Sequence, residues 1–320
     1  MDISVVLGTY NRAISLRATL ESFCRLAIPP DLTLELLVVD NNSTDDTRLV
    51  VEAFVRKLPL RYAFEGKQGR SAALNAGIAA ATGDVIAFTD DDVLLDKFWL
   101  SNLKNTFQQH ECAAIAGRVV AQWNHPKPNW LTMEDQLAIV RFDFGDELKQ
   151  IRVPPLGANS AFRREVFQRY GLFRLDLGVS GSEHTITCDD TEFGERLIRA
   201  GEKIIYCPTA IVYHPVDPKR ATKRYFRSWY YYNGRSLTRT AGVPSVGVFY
   251  FGVPRWMCRE LGTAIARWLL TPNPGLRLHR KFKAYRILGN VVEARRLSRL
   301  ALVKKKQADV KRVDSEKIPA

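Results

Sequence analysis

From Ile3 to Phe88 the chain alternates short apolar runs with stretches of helical periodicity. The runs are Ile3 to Gly8, Leu34 to Val39, Leu60 to Phe64 and Asp84 to Phe88. They are short and rich in β-branched or aromatic residues, the last preceded by the turn pair Thr82-Gly83, so each predicts a buried strand. Between them, Arg12 to Leu26 places Leu16, Leu20 and Phe23 on one helical side. A second helix, capped by Ser43 or Thr44, is expected to run to about Lys57, and Gly69 to Ala81 forms an Ala-rich third. Leu94 to Gln109 also reads as helix. Strands alternating with helices predict an α/β fold, its sheet mainly parallel and covered on both faces.

In such sheets ligands bind beyond the carboxyl ends of the strands. That rule gathers Thr9-Tyr10-Asn11-Arg12, Asp40-Asn41-Asn42 and Asp90-Asp91-Asp92 on one rim. Adjacent acids repel one another unless positive charge lies beside them, and a divalent cation takes oxygen ligands. Alone, the acid triplet reads equally well as a helix cap. Three polar clusters at three strand ends favour the metal reading. The rim has no G-x-G-x-x-G and no G-x-x-x-x-G-K-S/T, so a nucleotide there is held by side chains and a metal, not by a glycine-rich cradle.

After Val120 the periodicity is lost. Gln122 to Pro155 is rich in Pro, Trp and acids, and so long an aperiodic stretch is usually functional or mobile. Gly157 to Phe162 reads as a strand rejoining the core, and Arg163 to Tyr170 as a short helix. A Gly/Ser-rich loop, Phe173 to Cys188, delivers Asp189-Asp190 onto a helix from Thr191 to Ala200. Lys203 to Tyr206 and Ala210 to Tyr213 read as two short edge strands with Pro208 in the turn between them, the second ending at His214-Pro215. On the residues alone Asp190 reads as a cap and His214 as a satisfied core histidine.

In order along residues 3–215, several motifs resemble the family 2 nucleotide-sugar glycosyltransferases of GT-A (Rossmann-like) fold. They are Val6 to Arg12, Val38 to Asp45, Gly69 to Gly77, Phe88 to Asp92, Gly157 to Arg164, Asp189 to Glu192 and Gly201 to His214. The resemblance implies a nucleoside-diphosphate sugar as donor, with Mn2+ or Mg2+ as cofactor. It implies that Thr9, Tyr10, Arg12, Asp40, Asn42, Arg70, Asn75, Asp90 and Asp91 line the nucleotide, Asp40 accepting from the base. Asp92 and Asp90 are then the metal acids, with His214 as a further ligand. Asp190 becomes the general base, and Asp189 departs from the family's usual Glu, keeping its charge with a shorter reach. A like-charged neighbour raises the pair's apparent pKa toward a useful range. Trp130 and Asn159 are the acceptor-side candidates. In-line displacement predicts inversion. Processive members carry a Gln-x-x-Arg-Trp motif that Arg227-Ser228-Trp229 does not match, so one sugar is expected per visit, as in the non-processive bacterial type.

Composition changes this picture at the C-terminal end. The net charge is +13, yet residues 1–218 hold 23 Lys and Arg against 29 Asp and Glu, whereas residues 219–320 hold 24 against five. The expected organisation is a catalytic domain over 1–218, a basic, aromatic-rich helical region over 219–303 and a disordered tail over 304–320. Met257, Leu261, Ala264, Ile265 and Trp268 share one face of a basic amphipathic helix, which suits an anionic membrane surface. No nucleic-acid fold signature is present, so no nucleic acid is expected as partner. The acceptor is expected to be lipid-linked or a glycan. Five scattered cysteines without C-x-x-C spacing point to a reducing compartment, and Met1-Asp2-Ile3 does not begin a signal peptide. The expected location is cytoplasmic, peripheral on the inner face of the membrane. Two other readings are a sugar nucleotidyltransferase of similar fold and a non-catalytic protein binding through its basic tail.

Overall fold

The computed structural model describes residues 1–132, 138–139, 141–180 and 186–316, with side chains as far as Val303. The chain divides into two units, Met1–Thr185 with Asp189–Ala221, and Ile186–Cys188 with Thr222–Ala320.

The first unit is built on one sheet. Strands β1 (Asp2–Thr9), β2 (Thr33–Asp40), β3 (Leu60–Phe64) and β4 (Val85–Thr89) run parallel in the order β3-β2-β1-β4. The sheet is completed by β5 (Leu94–Leu95), β6 (Ala114–Gln122), β7 (Lys149–Ile151), β8 (Asn159–Arg163) and β9 (Ile204–Pro215). Strand β8 is antiparallel to β4 and β6, β9 is parallel to β6, and β5 and β7 pair antiparallel with β9. The predicted mixed, mainly parallel sheet is the one observed.

Alternation along β1 sends Ile3, Val5 and Leu7 to one core and Val6 to the other. On the first face they meet α1 (Ala13–Phe23), α2 (Thr47–Glu52) and α4 (Trp99–Gln109) through Leu16, Leu20, Val50, Trp99 and Leu103. On the second lie α3 (Arg70–Ala80), α5 (Arg164–Tyr170) and α6 (Asp189–Arg199), through Leu74, Ile78, Phe167, Phe193 and Leu197. Phe88, two residues before the acids, packs edge-on against Phe162, Phe167 and Phe173 at 5.5–5.9 Å. Such ring pairs contribute about 0.5–1.5 kcal/mol beyond area burial, so the end of β4 is firmly anchored.

Three local readings differ from expectation. The helix predicted from Leu94 begins only at Trp99, because Leu94 and Leu95 pair with Tyr213 and Val212 and Asp96 turns the chain by accepting from the Phe98 N–H. The helix expected after Ser43 or Thr44 begins at Thr47, with Asp45 accepting from its N–H at 3.0 Å. The two edge strands around Pro208 are one continuous interior strand, β9, whose pairing with β6 jumps from Gly117↔Cys207 to Arg118↔Ile211. Pro208 cannot donate to a ladder, and a bulge removes it from the pairing without ending the strand.

In the second unit α7 (Lys223–Ala241) packs on α9 (Pro274–Glu316), the hairpin strands being β10 (Phe249–Tyr250) and β11 (Val253–Pro254), followed by α8 (Arg255–Leu269). At Gly234 a Cβ would lie 1.9 Å from the Arg286 carbonyl oxygen, so only glycine allows this approach. Tyr230 stacks on Phe282 with centroids 5.5 Å apart. Glu293, fully buried, accepts from Arg235, Arg239 and Arg296 at 2.8–3.0 Å. Where a disordered tail was expected from Lys304, helix α9 continues to Glu316; Lys, Gln and Ala sustain a helix once it is nucleated. Among the described residues no helix is long and apolar enough to cross a membrane.

Candidate active site

The β1–β4 pairing aligns Val6 with Phe88, so the residues beyond each strand end emerge side by side. Asp90, Asp92 and His214, the last from β9, bring ligand atoms within 4.8 Å of one another. His214 is buried, its Nδ1–H donates to the Pro215 carbonyl at 3.1 Å, and its Nε2 lies 3.3 Å from Asp92 Oδ1. That hydrogen bond fixes the tautomer and leaves Nε2 for the acids or a cation. Two carboxylates and one imidazole nitrogen are a donor set that suits Mn2+ or Mg2+, so the residues fit the expected group. Burial works against ionisation of Asp92, yet the His214 hydrogen bond and charge, with Arg12 and Arg220, hold its carboxyl well below the usual range. At His214 burial opposes protonation, and Asp92 outweighs it and raises the pKa.

Asp91 faces the other way. It is buried, accepting from the Thr9 hydroxyl at 2.7 Å and from Arg12 Nη1 at 3.0 Å. The same Arg12 nitrogen reaches Asp92 Oδ2 at 2.7 Å. Burial pushes the Asp91 carboxyl up to about 6 against the pull of Arg12. The middle acid therefore ties the end of β1 to the end of β4.

Arg70, the first residue of α3, bridges two acid groups: Nη1 lies 2.5 Å from Asp189 Oδ2 and Nη2 3.3 Å from Asp90 Oδ1. Asp189 is buried in that pair, whereas Asp190 is half-buried. The Gly157 N–H donates to Asp190 Oδ2 at 2.8 Å, and Oδ1 accepts from the Thr191 N–H at 2.6 Å. Burial first, then the Asp189 charge, raises the Asp190 carboxyl above its ordinary value. A carboxylate so poised can take a proton.

The sequence model described as Glycosyl transferase family 2 matches residues 4–171, more than half of the chain. The chain belongs to glycosyl transferase family 2. It is similar to the succinoglycan biosynthesis protein ExoM of Rhizobium meliloti, 30% identical over 236 residues covering 71% of this chain and 73% of that one. It is 29% identical to the glucosyl-dolichyl phosphate glucuronosyltransferase of Haloferax volcanii, over 74% of this chain and 77% of that one. Its fold matches that of the mannosyltransferase PcManGT from Pyrobaculum calidifontis, solved with GDP-Man and Mn2+, at a TM-score of 0.55 and 22% identity over 96% of this chain and 75% of that one. The sheet is thus a GT-A fold, and the chain is a glycosyltransferase.

In this family 2 enzyme the remaining predicted positions divide. Asp40 lies on the rim, buried, its two oxygens accepting from the Tyr62 hydroxyl and the Ser43 N–H at 2.9 Å. Tyr10 and Asn42 are exposed on the adjoining loops, Asn42 at φ 66°. Asn75 does not join the acids: its amide is closed on the N–H and carbonyl of Phe173 at 3.0 and 2.9 Å. Asn159 is no acceptor-side group either, being fully buried. It accepts from Trp99 Nε1 at 2.8 Å and donates to the Arg118 and Ala210 carbonyls at 2.9 and 2.8 Å, filling the β6–β9 bulge. Only a glycine at 117 leaves it room, since a Cβ there would lie 2.3 Å from Asn159 Nδ2. Trp130 is half-buried in the segment after β6.

Two features were missed. Asn11 accepts from the Thr44 N–H at 2.7 Å and its own N–H reaches Ser43 at 3.0 Å, stapling two rim loops together. Its left-handed backbone, φ 52°, suits an Asn after a strand, and that signal was available. Arg220 comes within 3.8 Å of Asp92 Oδ2. In the sequence it merges with the basic run that continues into α7, and nothing there separates it from that run.

Proposed function

We propose that this glycosyltransferase moves one sugar, with inversion, from a nucleoside-diphosphate donor to a hydroxyl of a lipid-linked or polysaccharide acceptor. The observation that carries the reading is the convergence of Asp90, Asp92 and His214 on one point of the rim. These residues would hold the divalent cation, and when bound it neutralises charge developing on the departing diphosphate. Thr9, Tyr10, Arg12, Asp40 and Asn42 bind and orient the nucleotide. Asp190 takes the acceptor hydroxyl proton as that oxygen bonds to the anomeric carbon, and the bond to the diphosphate breaks with its electron pair leaving on the phosphate oxygen. Asp189, ion-paired with Arg70, fixes the first turn of α6, on which the base sits. One displacement gives inversion.

The relatives' names support the acceptor class: one concerns succinoglycan and another a dolichyl phosphate. Manganese in the mannosyltransferase structure supports the metal. An acceptor on a lipid carrier, and a C-terminal unit rich in Lys and Arg, support work in the cytoplasm at the inner face of the membrane. The test is nucleoside-diphosphate release with and without chelator, for the native chain and Asp92→Ala. Loss of roughly 100-fold or more is expected in both, as for removal of one transition-state electrostatic partner. Full activity in the variant sinks the reading, and release of inorganic diphosphate instead would identify nucleotidyl transfer.

A further inference from the structure

The membrane reading rested on one stripe of α8, and the structure gives that stripe another use. Met257 is buried with Ala294 and Val291 of α9, and Leu261, Ala264 and Trp268 are half-buried beside it. Lys281 lies over the Trp268 ring at 5.3 Å, and Arg280 bonds to Thr271 at 2.6 Å, so α8 folds back along α9. Of the predicted face only Ile265 remains exposed, at 38%. The reason is physical: α9 offers apolar surface within the same unit, and contacts of low sequence separation form first.

What faces outward was not selected by the sequence. On α8, away from the face formed by Met257, Leu261, Ala264 and Trp268, helical spacing lines up Trp256, Arg259, Glu260, Thr263 and Arg267, with Leu270 just past the helix end, all exposed. This stripe is apolar at both ends and carries two arginines and one acid between, along a helix about 20 Å long. The Arg255 N–H donates to the Val248 carbonyl at 2.8 Å, so the β10–β11 hairpin is fastened to the Trp256 end. Its tip presents Phe251 at 91% exposure, and Val246, five residues earlier, is exposed at 85%. Large apolar side chains this open, on one hairpin and the helix that follows it, mark an interaction surface. Between Val243 and Lys283 the sequence holds seven Lys and Arg and one acid, Glu260. That balance selects an anionic lipid surface as occupant over a second copy of this equally basic unit.

We propose that the hairpin tip, Phe251, and the outer stripe of α8, Trp256 with Arg259 and Arg267, continued by Leu270 at the helix end, form the edge that enters an anionic bilayer interface. This rests on the peripheral-membrane reading above and replaces the residues that reading used. The Trp and Leu ends sit at the acyl boundary, and the guanidiniums meet lipid phosphates.

The test is flotation of the full chain with vesicles of phosphatidylcholine alone or with phosphatidylglycerol. The native chain is expected to float only with the anionic vesicles. Trp256→Asp/Leu270→Asp and Phe251→Asp should each weaken flotation by about tenfold, and Arg259→Gln/Arg267→Gln by a similar factor that vanishes at high salt. Circular dichroism and an unchanged melting temperature establish that these exposed substitutions leave the fold intact. A native chain that ignores anionic vesicles overturns the membrane reading as a whole. A native chain that floats while all three variants float equally overturns this edge alone. A dimer by light scattering that Trp256→Asp/Leu270→Asp converts to a monomer, with flotation unchanged, assigns the surface to self-association instead. None of these outcomes touches sugar transfer, which is measured separately.

Discussion

At the scale of single residues, the two acids of the Asp189-Asp190 pair have different environments although they are neighbours. Asp189 is buried against Arg70, whereas Asp190 is more open and carries the raised pKa. A base must be ionised to act, so activity should rise with pH through a value above the ordinary carboxylate range. The acid limb of kcat/KM against pH should therefore lie above about 4, the unperturbed Asp value. Asp190→Asn should abolish turnover while donor affinity, read by calorimetry with a nucleoside diphosphate, stays within a few-fold. Turnover that survives with the same acid limb places the base elsewhere. The acid triplet was legible in the sequence as a cluster, but its division of labour was not. Adjacent residues at a strand end point in different directions, and only the Thr9 and Arg12 contacts single out Asp91 as the tie between strands.

At the scale of elements, the alternation of strand and helix carried most of the first unit, since the apolar runs of β1, β2 and β4 are buried on both faces; β3, at the sheet edge, is the exception, with Phe64 exposed. Two of the failures, at Asn159 and Pro208, share a cause: each acts where β6 and β9 meet. Asn159 sits in a motif that resembles a site, yet its amide completes the bulge where β6 and β9 change register. Replacing it by Leu leaves Trp99 Nε1 and two carbonyls without partners. Each such buried group costs about 1–3 kcal/mol, so Asn159→Leu should lower stability by about 3 kcal/mol or more in urea unfolding. A change below 1 kcal/mol would mean that water replaces the amide. Asn75 resembles it: nothing in the pattern reveals that the Phe173 backbone closes on its side chain.

At the scale of the whole molecule, the charge division along the sequence located a change of character close to where the two compact units meet in the chain. Composition could not say which cations are committed internally. Arg235, Arg239 and Arg296 are, because they surround Glu293. Burial opposes the Glu293 charge, but these arginines hold its pKa below the ordinary value. A group depressed in the folded state stabilises above its unfolded pKa, and that contribution fades as pH falls through the folded value. Glu293→Gln should therefore lower Tm at neutral pH, by an amount equivalent to about 3–5 kcal/mol, and flatten the loss of Tm in acid. An unchanged acid dependence would assign that loss to other carboxylates.

The bulge in β9 has one further consequence, best expressed as parity. Before it, odd residues Ile205 and Cys207 belong to the α1–α2–α4 core and even residues Ile204 and Tyr206 to the other; after it, the even residues Ala210 and Val212 belong to the first. Three residues of β9 have no counterpart on β6, and an odd number inverts the count. His214 is even-numbered, so its side of the sheet is inherited from that inversion. Were β9 to alternate strictly from Cys207 over the same residues, with no bulge, Tyr213 would take that side and the imidazole would turn away from Asp92, without a single residue of the rim being altered.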